Sequence, residues 1–319
     1  MPFFYNDTYI IFTVIELVRT DKKGAYMGKE VEWNERFNIG VEVVDKAHRR
    51  LFSIVHKLMD LSEDEKKSRW ACAEGIKFFK SYTVKHFAEE EEYMRSINYS
   101  GFEMHKQLHD VMRDKTIPAL EEDLEESDYS KEAMQHFLGI SLGWLTGHII
   151  IEDRAITGRV PRRWNEVLPK DELAAMEKVI SKIIMDVFKV KTRTVSVQYT
   201  GEDFGKSVYY RISYRSKEGK RLQVFLVLEE QLIIHTVGEM LKISFKKIDK
   251  MALDVVKQLA QQVMNLMAMY FKIMRQYEFE KDHILTKEQF EQEFEAGYPR
   301  YSLLFDTGVG YFAFCIKMR

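Results

Sequence analysis

The sequence predicts two domains of different class, an all-α four-helix up-and-down bundle followed by an α+β domain. Four successive segments in the first half carry apolar residues at helical spacing, and short loops join them. After about residue 171, one helix precedes several segments in which apolar and polar residues alternate, as they do in strands. The length of 319 residues also suggests about two domains.

Composition and charge restrict the class of protein. The chain is 45% hydrophobic and 31% charged, which is typical of globular proteins, and its formal charge of -2 argues against nucleic acid as a partner. Cys72 and Cys315 are too few for a disulfide framework and fit a reducing compartment. The apolar run at 9–18 is too short to span a bilayer and contains Glu16. We therefore expect a cytoplasmic protein with no membrane segment and no signal peptide.

Domain boundaries follow from the change of pattern and from proline. Pro161 and Pro169 interrupt the helical periodicity and indicate a short, stiff linker. The predicted boundaries are an unassigned N-terminal extension at 1–29, the bundle at 30–158, the linker at 159–170 and the α+β domain at 171–319.

The four bundle helices are predicted from their apolar spacing and their stop signals. The third helix should bend at Pro118, and Gly158 should end the fourth. The helices are expected to begin near Val44, to span 68–94, to begin shortly after the turn at 98–101, and to span 131–156.

Histidines and carboxylates in these helices predict a metal site. His86 and Glu90 are four residues apart, so they lie on one helical face and can bind a common metal. Bundles build metal sites from the inward side chains of facing helices, which predicts a two-metal site. His56 and His136 are interpreted as ordinary core or surface residues. The neighbouring helical segments contribute four further histidines, His48, His105, His109 and His148.

The ligand types narrow the choice of metal. Imidazoles and carboxylates without thiolate suit iron, manganese or zinc. A closed cysteine-type zinc site is excluded because Cys72 stands alone in this half of the chain. A ferritin-like centre is disfavoured because that class carries paired Glu-x-x-His motifs, whereas this chain has His-x-x-x-Glu.

Several motifs of this half resemble those of the bacterial hemerythrins. They are WNERFNIG at 33–40, VDKAH at 44–48, HF at 86–87 with Glu90, HKQLH at 105–109, and WLTGH at 144–148 with Asp153. The resemblance covers about residues 30–158 and implies a centre of two non-haem iron ions that binds O2 reversibly. It implies one iron on His105, His109 and His148 and the other on His48 and His86. Glu90 and Asp153 would bridge the two irons.

The choice of Asp153 comes from the resemblance and not from spacing. Glu152, four residues after His148, would share its face in a regular helix, whereas Asp153 would point away. Asp153 therefore requires a local irregularity such as a widened helical turn. On this hypothesis Glu152 is a surface residue.

The sequence pattern of the second domain predicts a mixture of helices and strands. The predicted order is a helix at 171–188, strands at 194–199, 207–214 and 222–228, helices at 230–241 and 249–275, and strands at 301–305 and 311–316.

The segments GEML at 238–241 and IDKMALDVVKQLAQ at 248–261 resemble the CheX branch of chemotaxis phosphatases, over about residues 171–319. The resemblance implies removal of phosphate from a response regulator by a Glu-x-x-Asn pair on the long helix. Gln258 and Gln261 stand at these positions, so they are the candidate catalytic residues, although the charged anchor is absent. We therefore expect that the chain is not an enzyme. The alternative is that both belong to a polar stripe, with Gln262 and Asn265, that is solvated or faces a partner.

These observations together predict a cytoplasmic oxygen sensor. An oxygen-binding diiron bundle would be coupled to a CheX-like output or dimerisation module, with a chemotaxis response regulator as partner or a second copy bound through the C-terminal domain. Two alternatives stay open, an oxygen-regulated phosphatase of a response regulator and plain storage or transport of oxygen or iron.

Overall fold

A computed structural model describes residues 34–63, 69–159 and 168–318. Backbone contacts divide the chain into two compact units, and the division falls between Leu142 and Gly143, inside one helix. The predictions for the N-terminal extension, for Trp33 and for most of the linker, including Pro161, concern residues outside these ranges.

Among the described residues up to Ile156, the regular elements are helical, as predicted. Two π-helical turns, at Met112–Thr116 and Ile149–Asp153, continue the third predicted helix and the fourth without a break in the chain path. Pro118 follows directly after the first of them, so the irregular hydrogen bonding of the helix falls where proline supplies no N–H. The α-helices are α1 (Glu42–Glu63), α2 (Arg69–Ser96), α3 (Phe102–Val111), α4 (Ile117–Glu126), α5 (Lys131–His148) and α6 (Arg154–Ile156).

The segment before α1 folds onto that helix. The Asp45 carboxylate accepts hydrogen bonds from the backbone N–H of Ile39 at 2.7 Å and of Gly40 at 3.0 Å. Phe37 stacks on Phe52 of α1 with ring centroids 4.8 Å apart. These contacts give a structural reason for the residues at 37–40 of the motif. They fix where α1 begins and how the helix is rotated about its own axis.

An apolar stripe along α1 packs against α2. Val44, Leu51, Val55 and Leu58 are all buried, at the spacing that the sequence predicts. Gly75 lets α2 approach closely, since a Cβ atom there would lie 2.6 Å from the Leu58 Cδ2 atom. The direction in which α1 and α2 present their polar residues is set by this contact.

The rest of the chain is α+β, which confirms the predicted class. Its strands form a 6-stranded sheet in the order β1-β5-β6-β3-β2-β4, and every neighbouring pair of strands is antiparallel. The elements are α7 (Glu172–Phe188), β1 (Arg193–Ser196), β2 (Ser207–Ser216), β3 (Arg221–Glu229), α8 (Glu230–Leu241), α9 (Lys250–Tyr270), β4 (Tyr277–Leu285), α10 (Lys287–Glu293), β5 (Tyr301–Asp306) and β6 (Tyr311–Met318).

Both faces of the sheet are covered. Leu226 and Leu228 of β3 face a cavity that α7, α8 and α9 also line. Phe225 and Val227, which alternate with them, pack on the other side against Phe290 of α10. Strand β3 is therefore buried on both faces.

Strand β4 and helix α10 were not predicted. The long helix ends at Tyr270 and not near residue 275, because Phe271 is extended and a 3-10 turn at Lys272–Gln276 leads into β4. Strand β4 is an edge strand in which Glu278, Glu280 and Asp282 alternate with larger residues, and only one neighbour, β2, pairs with it. Such a strand lacks the apolar alternation by which buried strands are recognised.

Within the described ranges, no helix is long and apolar enough to cross a membrane.

Candidate metal centre

The predicted ligands come together as two groups that share one carboxylate. His48, His86 and Glu90 form the first group, and Glu90 with His105, His109 and His148 forms the second. In each group one potential ligand atom per residue lies within 4.8 Å of the others. All of these side chains are buried. The structure thus brings together six of the seven residues predicted as metal ligands.

Glu90 lies where a bridging carboxylate would be needed. Its Oε2 atom is 3.5 Å from Nε2 of His86, one turn earlier on α2, and 3.5 Å from Nε2 of His109 on α3. His105 and His109 repeat the four-residue spacing on α3, so both rings project from one face.

The seventh residue, Asp153, reaches His148 through the π-helical turn. Asp153 Oδ1 lies 3.0 Å from His148 Nε2, and the Asp153 side chain is fully buried. In a regular helix the residue five positions on would point away, but the wider π turn at Ile149–Asp153 brings it back to the same side. The predicted local irregularity is confirmed.

Glu152 is not the surface residue that the sequence suggested. Its side chain is buried, with 9% of its surface exposed. The prediction was wrong because all five residues of the π turn are buried, so both neighbouring carboxylates are removed from water.

Aromatic rings fix two of the histidines in place. Phe87 lies parallel to His109, with ring centroids 4.0 Å apart and planes 5° apart. Trp144 lies parallel to His148 at 4.3 Å and 14°. A stacked imidazole can turn only by losing this contact, so these two rings are held in one orientation.

A further residue, Glu91, was not identified from the sequence. Its Oε1 atom lies 3.3 Å from Nδ1 of His109, and Arg95 donates to its Oε2 atom at 3.2 Å. Because a carboxylate only accepts hydrogen bonds, Nδ1 of His109 donates, which leaves Nε2 directed at Glu90. In the run of four glutamates at 89–92, spacing from His86 singles out Glu90 alone. The burial of Glu91 is evident only from the structure, in which this side of α2 faces α3.

The donor set fits a pair of metal cations. Buried imidazoles supply neutral nitrogen donors, and Glu90 and Asp153 supply negative charge that is costly to bury unless cations offset it. Neither Cys72 nor Cys315 belongs to either group, so the donors are nitrogen and oxygen only. This set is the one from which the sequence predicted iron, manganese or zinc.

The remaining histidine predictions concern residues outside these groups. His56 is half-buried, with its Nδ1 atom 2.7 Å from the Phe52 carbonyl oxygen, and burial lowers the pKa of His56. His136 is also half-buried. Neither belongs to a group of described residues that could bind a metal.

The two candidate catalytic glutamines lie on α9 and are half-buried. Gln261 Nε2 donates to Asp282 Oδ2 at 3.3 Å, and the Tyr210 hydroxyl donates to the same carboxylate. Gln258 lies against Gly143 of α5. The side chains of both residues thus have structural contacts, and the polar stripe on α9 becomes exposed only at Asn265.

Solved structures of chemotaxis proteins are similar to the C-terminal part in fold. A crystal structure of chemotaxis protein CheX from Vibrio vulnificus matches with a TM-score of 0.36 and 11% identity, over 47% of this chain and 100% of that one. A CheC-like superfamily protein from a Shewanella species matches with a TM-score of 0.31 and 12% identity, over 44% and 94%. At this level of similarity, no site residue or activity is carried over.

The helical part matches a family at the level of sequence. The Hemerythrin HHE cation binding domain matches residues 39–160. The chain is 26% identical over 136 residues to a bacteriohemerythrin of Pseudomonas aeruginosa, covering 43% of this chain and 85% of that protein. With a myohemerythrin of Theromyzon tessulatum the identity is 27% over 133 residues, covering 40% and 92%.

A bacteriohemerythrin of Clostridium acetobutylicum is 32% identical over 127 residues, covering 38% of this chain and 95% of that protein. This match covers nearly the whole of that relative at more than 30% identity. The chain therefore belongs to the hemerythrin family.

Proposed function

We propose that this chain binds oxygen reversibly at a centre of two non-haem irons. The observation that carries the proposal is the pair of buried ligand groups that share Glu90. The residues that would hold the irons are His48, His86, Glu90, His105, His109, His148 and Asp153.

The carboxylate side chains of the site have different roles. Glu90 and Asp153 place negative charge between and beside the imidazoles, and Glu91 orients His109 from behind. Burial of the whole set excludes bulk water, which favours a small apolar ligand over competing polar ones. When bound, a pair of irons supplies the electrons that reversible oxygen binding requires.

Optical and metal analysis of the purified protein tests this proposal. We expect about two irons per chain, a pale reduced form, and a visible band that appears in air and disappears when oxygen is removed. Zinc alone, or a single metal per chain, contradicts it. His56→Ala is the matched control, because His56 lies outside both ligand groups and should leave band and metal content unchanged.

We further propose that the chain is a cytoplasmic sensor that passes the oxygen signal through its CheX-like part to a chemotaxis response regulator or a second copy of the chain. The resemblance of residues 238–261 to the chemotaxis phosphatases supports this output. A phosphatase is the second candidate, favoured by the amide of Gln261, but Gln258 lacks the charge that anchors a partner. Dephosphorylation of a chemotaxis response regulator, measured with and without oxygen, separates the two. Turnover by the wild-type chain would contradict the non-enzymatic sensor.

A further inference from the structure

The end of α5 approaches α9 unusually closely, within the unit that begins at Gly143. A Cβ atom on Gly143 would lie 2.7 Å from Gln258 Cβ and 2.9 Å from the Val255 Cα atom. Real Cβ atoms do not approach other heavy atoms this closely, so the two helices pack here with the Gly143 backbone directly against α9. Only glycine permits this distance.

Gly147, one turn later, repeats the arrangement. A methyl group there would overlap the amide of Gln262, and the same amide donates from Nε2 to the Trp144 carbonyl at 3.3 Å. Two glycines four residues apart form a groove along α5, and the side chains of Gln258 and Gln262 lie along it. Glycine is unfavourable inside a helix, so both residues lower the stability of α5 as a helix at the points where α9 contacts it.

This groove is directly connected to a predicted metal ligand. Trp144 accepts the hydrogen bond from Gln262 and stacks on His148. A displacement of His148 along or around α5 would therefore also move the Trp144 carbonyl, to which Gln262 of α9 donates its hydrogen bond.

We propose that the face of α9 that carries Gln258 and Gln262 is a docking surface for α5 of the same chain, and that α5 closes this face to other proteins. A response regulator can use the position of Gln258 only after α5 leaves it. The polar stripe is thus a partner-facing surface, and the partner is the glycine groove of α5. This proposal stands without the metal, since it depends on helix contacts alone.

Alanine substitutions in the full-length chain test the contact. Gly143→Ala should lower the midpoint of thermal unfolding by several degrees, although alanine favours a helix, because the new methyl group meets the Val255 backbone, which no change of rotamer can move aside. Gln258→Ala should not restore this loss, because the Val255 backbone stays in the way. Gly147→Ala should cost clearly less, since the three atoms nearest to its methyl group form the amide at the end of the flexible Gln262 side chain.

Thiol labelling tests whether the face is closed. A cysteine introduced as Gln258→Cys should react with a maleimide at least about ten times more slowly in the wild-type background than with Gly143→Leu added. Asn265→Cys, on the exposed end of the stripe, should react equally fast in both backgrounds. The wild-type chain, whose Cys72 and Cys315 are buried, gives the background rate. Equal rates at position 258 in both backgrounds, or no loss of thermal stability in Gly143→Ala, would overturn the proposal.

Discussion

At the scale of single residues, the candidate centre depends on buried histidines and carboxylates that lie close to one another. His86→Ala should abolish the oxygen-dependent band and lower iron content, because it removes one of the two histidines of the first group. The helices should stay folded, since the apolar stripe of α1 and its contact with α2 are untouched. Circular dichroism and iron analysis check both parts. A His86→Ala protein with a normal band would remove this residue from the site.

Glu91 should act through His109. Glu91→Ala removes the acceptor for His109 Nδ1, and loss of such an outer partner typically costs about 10–100-fold in metal affinity. Competition with a chelator measures this loss, and Glu91→Gln should recover part of it because the amide oxygen still accepts a hydrogen bond. Glu92→Ala, on the exposed side of the same turn, is the control. Unchanged affinity in Glu91→Ala would limit Glu91 to its ion pair with Arg95.

Residue spacing predicted part of this site and failed for the rest for a physical reason. Pairs four apart on one helix, such as His86 with Glu90, follow from helical geometry alone. Asp153 does not, because its position depends on a π turn that no local pattern predicts, and it was chosen by family resemblance. The burial of Glu91 and Glu152 depends on how the helices face their neighbours. Both residues were therefore misjudged or missed.

At the scale of elements, close approaches between helices occur at glycine. Gly75→Val should destabilise the fold by about 1–3 kcal/mol, because the added atoms compete with Leu58 for the same space on α1. Unfolding in denaturant measures the change. Leu58→Ala in the same chain should recover part of it, since the colliding atoms belong to a side chain. If the double variant is as unstable as the sum of the single ones, the α1–α2 contact is not what limits position 75.

Elements with at least one well-buried face and enough length to show a period were predicted well, and β4 and α10 were not. The helix at 230–241 has the bounds that the sequence predicts, and β2 and β3 differ by two residues or fewer at each end. Their apolar residues face a packed layer and so repeat at the period of the element. Strand β4 has neither face well buried, and α10 is only 7 residues long, too short for a clear period. Tertiary pairing with β2, and not local pattern, makes β4 a strand.

At the scale of the whole molecule, the proposed sensor requires that the state of the metal site change a second part of the chain. The contacts from His148 through Trp144 to Gln262 offer a route in addition to the linker. We therefore expect hydrogen exchange in α9 and in residues 157–170 to differ between the reduced and the oxygen-bound protein. Such a change needs two arrangements with different oxygen affinity. Gly143→Leu should abolish the difference in α9 while leaving the visible band intact.

Identical exchange in both states of the wild-type chain would contradict the sensor and leave only the proposal that the chain binds oxygen. That outcome would favour storage or transport of oxygen or iron. It would not affect the proposed metal ligands, which are placed by α1, α2, α3, α5 and the π turn at Ile149–Asp153.

The central claim is that these seven side chains hold two irons, and anomalous X-ray diffraction at the iron edge of crystals of the full-length protein tests it directly. We predict two anomalous peaks. One should lie among His105, His109 and His148, the other beside His48 and His86, with Glu90 and Asp153 between them. A single peak, or peaks away from these residues in crystals of iron-loaded protein, would contradict the account.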